Sequence, residues 1–449
     1  MYNYSNISVE ALQKLGIYEL RNLARQIGVY SPTRFKKEDL IEKIMAIVQG
    51  VDAPYKRKTN QGRPAKQMAG FDDILNIFVP PIDEKTLYAK PFKNESLLSG
   101  SFMQEMNISE NTESFSGFVR IIKDYAVALK NGFFEGNDKT FYITTQVLKS
   151  NNLKNGDFVK GRYYLIDDDK PKVVKQIDFI NGQVAGSTSN VNREDYESLG
   201  AVYPKTQICL GKMPKASVDF KLIDKICPFG EGSRVLINYD NDCDIEDFVA
   251  KLINNLTLSC QYKTTMISTD ERPEDISYLC NECVEMQMIT RDDQREERVF
   301  AEQMLNTFDY AVRQVEYGNN NILIIKNLQK FYNFFVKHFV LSEKCTETEA
   351  KFRAMETIKK YLLLAKNTAN GHALTIIAFN SNFEELNELF NCYIKLNALP
   401  VSGTDIYIDC FKSYTLKANT LLSKEDYRKL LEFRNGLTPE NLKSKIAEL

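Results

Sequence analysis

The residues best placed to do chemistry lie between Leu236 and Val249, where the chain reads LINYDNDCDIEDFV. An apolar strand pattern runs there into an amphipathic helix pattern. In that setting a phosphate-binding loop carries glycines, a lysine and a Ser or Thr. Such a loop works because backbone N–H groups at a helix N-terminus cradle phosphates, the lysine reaches the β- and γ-phosphates, and the hydroxyl holds Mg2+. Here Asp240, Asp242, Asp244, Glu246 and Asp247 crowd the same place. Carboxylates suit the helix dipole by themselves and repel a nucleotide.

Other chemistry is thinly supplied. The chain has two histidines, of which His338 follows the aromatic run Phe331-Tyr332-Asn333-Phe334-Phe335 and reads as a packing residue. Its nine cysteines lack the pattern of a disulfide scaffold, which suits a reducing compartment. Cys280 and Cys283 have metal-ligand spacing, but no second pair completes four ligands, so no metal is expected. No apolar run approaches the ~20 residues needed to span a bilayer, and Met1–Glu10 has no signal-peptide character. A soluble, cytoplasmic protein with no membrane partner is expected. The formal net charge of −2 argues against a uniformly basic coat, yet residues 1–70 hold twelve Lys/Arg against six Asp/Glu. That asymmetry points to an anionic partner at the N-terminal end.

The elements that must position these groups follow from periodicity. At 449 residues and 43% hydrophobic content, the chain has room for several packed cores. Over residues 1–50, Val9, Leu12 and Leu15, then Leu20, Leu23 and Ile27, then Leu40, Ile41, Ile44, Met45 and Val48 recur at helical spacing. Ser31-Pro32-Thr33 interrupts them, and the pattern predicts three short helices. Lys36 and Lys37 fall in the first turn of the last helix, where the dipole disfavours cations, and so become candidates for nucleic-acid contact. The linker over 51–114 is basic and rich in chain breakers, with Tyr55-Lys56-Arg57-Lys58 and Gly62-Arg63-Pro64-Ala65-Lys66. The latter looks like an AT-hook core, whose Arg enters a narrow minor groove.

Residues 115–185 read as short strands, Phe118–Ile122, Tyr125–Leu129, Thr140–Thr144, Phe158–Tyr164 and Val173–Phe179, separated by Gly, Asn and Asp turns. They predict an OB-type barrel, which binds single strands by stacking bases on aromatics beside a basic groove. After a connector at 186–216, residues 217–449 carry continuous apolar strands such as Ile322–Ile325 and Ala373–Ala378 between helical segments. A parallel sheet covered on both faces requires that pattern.

Several stretches resemble the transcription termination factor Rho family. LQKLGIYELRNLARQIGVYSPTRFKKEDLIEKI resembles its N-terminal helical domain, related in shape to SAP and LEM-type modules. Phe141-Tyr142-Ile143-Thr144-Thr145-Gln146-Val147 and Asn152–Arg162 follow its tyrosine strand, Gln-containing turn and Leu-x-x-Gly-Asp hairpin, and Leu199–Pro204 resembles its connector. Phe220–Gly232 resembles the approach to its first ATPase strand, and Asp270-Glu271-Arg272-Pro273-Glu274 its Asp-Glu-Arg-Pro-Glu box. The resemblance implies a small all-α N-terminal Rho-N/SAP-like module, an OB-type β-barrel and a C-terminal RecA-like α/β domain.

It also implies site residues. RNA contact falls on Tyr125, Tyr142, Lys149, Lys154 and Arg162, with Val127 in place of one of the two stacking aromatics. In the ATPase part, Asp244 stands at the P-loop lysine, Ile245 at its hydroxyl neighbour and Lys326 at the Walker B aspartate. The pore-loop segment Ser342–Lys351 lacks glycine, and the segment Tyr414–Leu421 lacks the family's finger arginine. Glu271 matches the water-activating carboxylate, here read as a remnant serving as a helix cap or an ion-pair partner of Arg272. The family uses ATP and Mg2+, and these losses imply that neither is used here.

The expected function is therefore that of a Rho-like pseudo-ATPase modulating transcription termination. Its expected partners are single-stranded RNA, DNA through Lys36, Lys37, Lys56, Arg57, Lys58 and Arg63, and Rho or further copies of itself in a hexamer-type ring. The alternatives are a divergent but functional ATP-dependent termination factor and, third, a DNA-binding accessory protein.

Overall fold

The computed structural model describes residues 9–14, 16–17, 20–21, 23–24, 29 and 32–48 of the N-terminal segment. It also describes 112–448 apart from 123–124, 131–138, 165–171, 188–192, 213–216, 241–242, 284–285, 291–296, 343–344, 382 and 399–405. The chain divides into two compact units, an N-terminal one and one that contains everything from Thr112 onward.

In the first unit, helices α1 (Val9–Lys14) and α2 (Lys37–Val48) flank a 3-10 turn at Pro32–Arg34. Leu12, Leu20, Leu23, Ala24, Val29, Leu40, Ile41 and Ile44 form its core, as the helical spacing requires. Val9, expected on that stripe, is instead exposed because it opens the first helix. Leu15 and Ile27 lie outside the described residues. Lys36 precedes α2, its carbonyl accepting the helical bond from the Leu40 N–H at 3.0 Å. The Lys37 ammonium donates to the Gln13 carbonyl at 2.8 Å. It therefore caps the last turn of α1, where a cation is favoured. Lys56, Arg57, Lys58 and Arg63 lie outside the described residues, as does most of the linker.

The second unit begins with a barrel of β1 (Thr112–Ile122), β2 (Tyr125–Leu129), β3 (Thr140–Ile143), β4 (Phe158–Tyr164), β5 (Lys172–Ile180) and β6 (Gln183–Val184). A short helix, α3 (Thr145–Ser150), follows β3. The strand order is β3-β2-β1-β4-β5-β6, and an added β3–β5 pairing closes the sheet. The inward positions Phe115, Val119, Ala126, Ala128, Phe141, Ile143, Val159, Tyr163, Val174 and Ile177 fill it at the period of two that strands impose. The barrel starts at Thr112, so the linker ends before residue 114.

A connector strand, β7 (Ala201–Val202), and helix α4 (Val218–Ile226) lead into the large sheet. The chain then runs through β8 (Arg234–Tyr239), α5 (Glu246–Asn254), β9 (Lys263–Ser268), α6 (Pro273–Glu282), β10 (Gln287–Thr290), α7 (Glu297–Glu316) and β11 (Asn321–Ile325). It continues through α8 (Leu328–Ser342), α9 (Glu347–Leu362), β12 (Lys366–Thr368), β13 (Ala373–Asn380), β14 (Cys392–Ala398), β15 (Ile406–Ile408), β16 (Tyr414–Thr415) and α10 (Lys424–Arg434). Its order is β10-β9-β11-β13-β8-β14-β15, parallel from β10 through β14, with β15 antiparallel at the edge. Alternate residues of each strand enter opposite cores. Ile237, Ile324 and Ile377 pack with α4 and α5, whereas Leu236, Leu323 and Ile376 pack with α7, α8 and α9. That two-sided burial explains why these strands read as unbroken apolar runs. Among the described residues no helix is long and apolar enough to cross a membrane.

A buried charge cluster ties the barrel to the sheet. The Arg193 guanidinium donates to both Asp157 oxygens, at 2.8 and 2.9 Å, and through Nε to Glu316 Oε2 at 2.5 Å. Asp157 belongs to the turn before β4, and Glu316 ends α7. Lys154 joins the same cluster, 3.3 Å from Glu316 and 2.5 Å from Asp195.

Candidate functional site

Ligands of open parallel sheets bind beyond the carboxyl ends of the strands, and here that edge is built from β8, β9, β11 and β14. Lys326 follows the last residue of β11, with its backbone N–H held by the Ile267 carbonyl at 2.9 Å. Its ammonium is 2.8 Å from Glu246 Oε1, and only 2% of its side chain is exposed. Glu246 is the first residue of α5, so a lysine from one strand end neutralises the carboxylate at the next helix start. Burial raises the Glu246 carboxyl above its ordinary value, and the Lys326 charge opposes that shift.

Two similar pairs lie along the same edge. Lys330, in the first turn of α8, donates to Glu271 Oε2 at 2.8 Å and to the Asp270 carbonyl at 3.0 Å. Lys395, on β14, donates to Asn238 Oδ1 at 2.8 Å and Asp240 Oδ1 at 2.5 Å. Between them Asn327 donates to the Tyr239 hydroxyl at 3.2 Å and accepts from the Lys330 backbone N–H at 2.9 Å, capping α8. Buried lysines are tolerated only with such partners.

The positions expected to carry remnants of a nucleotide site resolve as follows. Asp244 is exposed and reaches only the Glu246 N–H, at 3.4 Å. Ile245 is buried in the core under α5, where it serves packing. Glu271 is an ion-pair residue as expected, but its partner is Lys330; Arg272 pairs with Asp275 at 2.8 Å instead. Thr346, in the glycine-free segment, caps α9 through the Glu349 N–H at 3.4 Å. Lys417, in the finger segment, adopts a left-handed backbone and lies over the Tyr203 ring. Glu246, Glu271 and Asp240 are each matched to a lysine ammonium. A phosphate brought to the N-terminus of α5 meets Glu246 and Asp247, and a divalent cation meets Lys326 and Lys330. Lys330 and Lys395 are missing from the sequence reading. A lysine inside the apolar strand Cys392–Ala398 is itself the signal of a partnered buried charge.

The barrel corrects other expectations. Tyr125 and Tyr142 face outward from β2 and β3, yet they are 7% and 2% exposed. Their rings stack at 6.4 Å within a small cluster with Val127 and Leu129. Desolvation pushes both hydroxyls upward. Lys154 is drawn into the junction cluster by Glu316. Lys149, in the last turn of α3, and Arg162, on β4, remain exposed. The β2–β3 tyrosines are thus a packed pair, while the cations expected beside them are dispersed.

A closed barrel joined to a two-faced parallel sheet of this order defines a protein of combined OB-like and RecA-like architecture. Over most of its length the chain is similar to proteins called transcription termination factor Rho. It is 24% identical to that of Streptobacillus moniliformis over 313 residues, covering 67% of this chain and 74% of that protein. It is 21% identical to that of Akkermansia muciniphila over 414 residues, covering 87% and 86%. With that of Mycobacterium leprae the identity is 22% over 357 residues, or 74% of this chain and 57% of that protein, so the chain spans little more than half its length. No protein-family model matches. Among solved structures, a type III secretion system ATPase is similar at a TM-score of 0.43 and 11% identity, over 60% of this chain and 76% of that one. A likeness that slight adds nothing to the strand order itself.

Proposed function

We propose that this chain is a Rho-like nucleic-acid-binding protein that modulates transcription termination without hydrolysing ATP. The observation that carries the reading is the row of Lys326–Glu246, Lys330–Glu271 and Lys395–Asp240 pairs at the sheet edge. Phosphoryl transfer depends on cations arrayed around the transferred group. Here Lys326 and Lys395 are buried, Lys330 is half-buried, and each is paired with one of the protein's own carboxylates. The similarity to Rho supplies the process, and single-stranded RNA is the partner that follows from it. Association with an active Rho ring, or with further copies of this chain, belongs to the same reading.

Calorimetric titration with Mg·ATP tests it. We expect no binding in the micromolar range and no RNA-stimulated phosphate release. Tight one-to-one binding of Mg·ATP would overturn the inactive reading in favour of a divergent motor. Affinity purification from the native cell, with and without RNase, reports on the partners: Rho retained after RNase supports a mixed ring.

A further inference from the structure

The outer face of the barrel divides into two halves. Over β2 and β3 it is the buried tyrosine pair, whereas over β4 and β5 it is open and basic. On β4 the outward positions are Phe158, Lys160, Arg162 and Tyr164, alternating with the buried Val159, Gly161 and Tyr163. On β5, Phe179 lies directly across from Lys160 in the strand register and is 43% exposed. Lys175 stands over the Tyr164 ring at 5.4 Å, and Lys160 lies 6.0 Å from the Phe158 ring centroid. Among the described residues Asp178 is the acidic group facing this surface, 3.8 Å from Arg162 and bonded to Gln176 at 2.7 Å. At the far end Phe158 packs on Phe118 at 4.9 Å, and Phe118 meets Tyr310 of α7 edge-on at 5.3 Å. There the face meets a small depression of about 30 Å3 lined by Gln287, Gln303 and Asn306. Lys263 lies over the Tyr310 ring at its rim.

We infer that single-stranded nucleic acid runs along the β4–β5 face, instead of crossing the β2–β3 tyrosines. The inference rests on the nucleic-acid-binding part of the proposed function and names the surface that performs it. The exposed ring of Phe179 offers a base a sequence-tolerant platform, while the exposed Lys160, Arg162 and Lys175 of the same two strands meet phosphates. Among the described residues, three cations against one carboxylate give the face the charge that a polyanion requires. A purely structural outer face has no reason to set an exposed Phe179 among exposed cations.

Fluorescence anisotropy with a labelled single-stranded oligoribonucleotide and the full-length chain tests this. Phe179→Ala is expected to weaken binding about tenfold. The triple variant Lys160→Ala, Arg162→Ala, Lys175→Ala is expected to lower the log–log salt slope by about two. Tyr142→Phe should bind as the parent does, and Arg162→Lys should keep the parent's salt slope. Circular dichroism and thermal melting verify folding of each. If the parent binds and the β4–β5 variants bind equally well, the surface is wrong while the proposed function stands. If the parent binds no single strand, both fall.

Discussion

Lys326 has a single carboxylate to meet and almost no contact with water. Lys326→Met leaves Glu246 charged and buried, and it should cost about 3–5 kcal/mol of stability at neutral pH, measured by urea denaturation. Adding Glu246→Leu should return most of the loss, because a well-packed apolar pair replaces a desolvated ionic one. The pH dependence has a defined sign. The folded Glu246 pKa is raised, so between the ordinary carboxylate value and the raised one the native state holds more protons than the unfolded chain. Stability therefore falls as pH rises through that window. Without Lys326 the raise grows, so the Lys326→Met loss should be smaller near about pH 5 than near about pH 8. The residue types at this site were legible in the sequence as an acidic loop and a misplaced lysine. Their pairing was not, because Lys326 and Glu246 meet across 80 positions of chain and no local periodicity encodes such a contact.

Elements were easier to read than contacts. The barrel strands match the sequence patterns to within a few residues, except that β1 extends back to Thr112, where Ser114 and Glu113 hide the alternation. The buried strands β11 and β13 announce themselves as apolar runs, since both of their faces are covered. The basic character of Lys154 and the aromatic character of Tyr142 were equally plain. What neighbours cover them depends on packing between elements far apart in sequence, as the 162-residue separation of Lys154 and Glu316 shows. At this scale the decisive contact is Arg193, which bridges the turn before β4 and the end of α7. Arg193→Met strands Asp157 and Glu316 in a buried site and should destabilise the protein by about 3–5 kcal/mol. By differential scanning calorimetry, the variant should show separate melting of barrel and sheet where the parent melts in one transition.

At the scale of the whole molecule, charge is unevenly shared between the two units. If the N-terminal excess serves nucleic-acid binding, neutralising Lys36, Lys56, Arg57, Lys58 and Arg63 should reduce affinity for duplex DNA and flatten its salt dependence, by an amount that depends little on sequence. Lys37 is left intact because its ammonium holds the Gln13 carbonyl. Filter binding over a salt series measures the effect, and an unchanged slope would assign the N-terminal unit to protein contacts. The Arg193 cluster bears on this scale too. Opening the joint between barrel and sheet strands several charges in a dry interior. The two parts are therefore welded rather than hinged. If the barrel holds a strand, a pull on that strand is transmitted to the sheet through the Asp157–Arg193–Glu316 bridge.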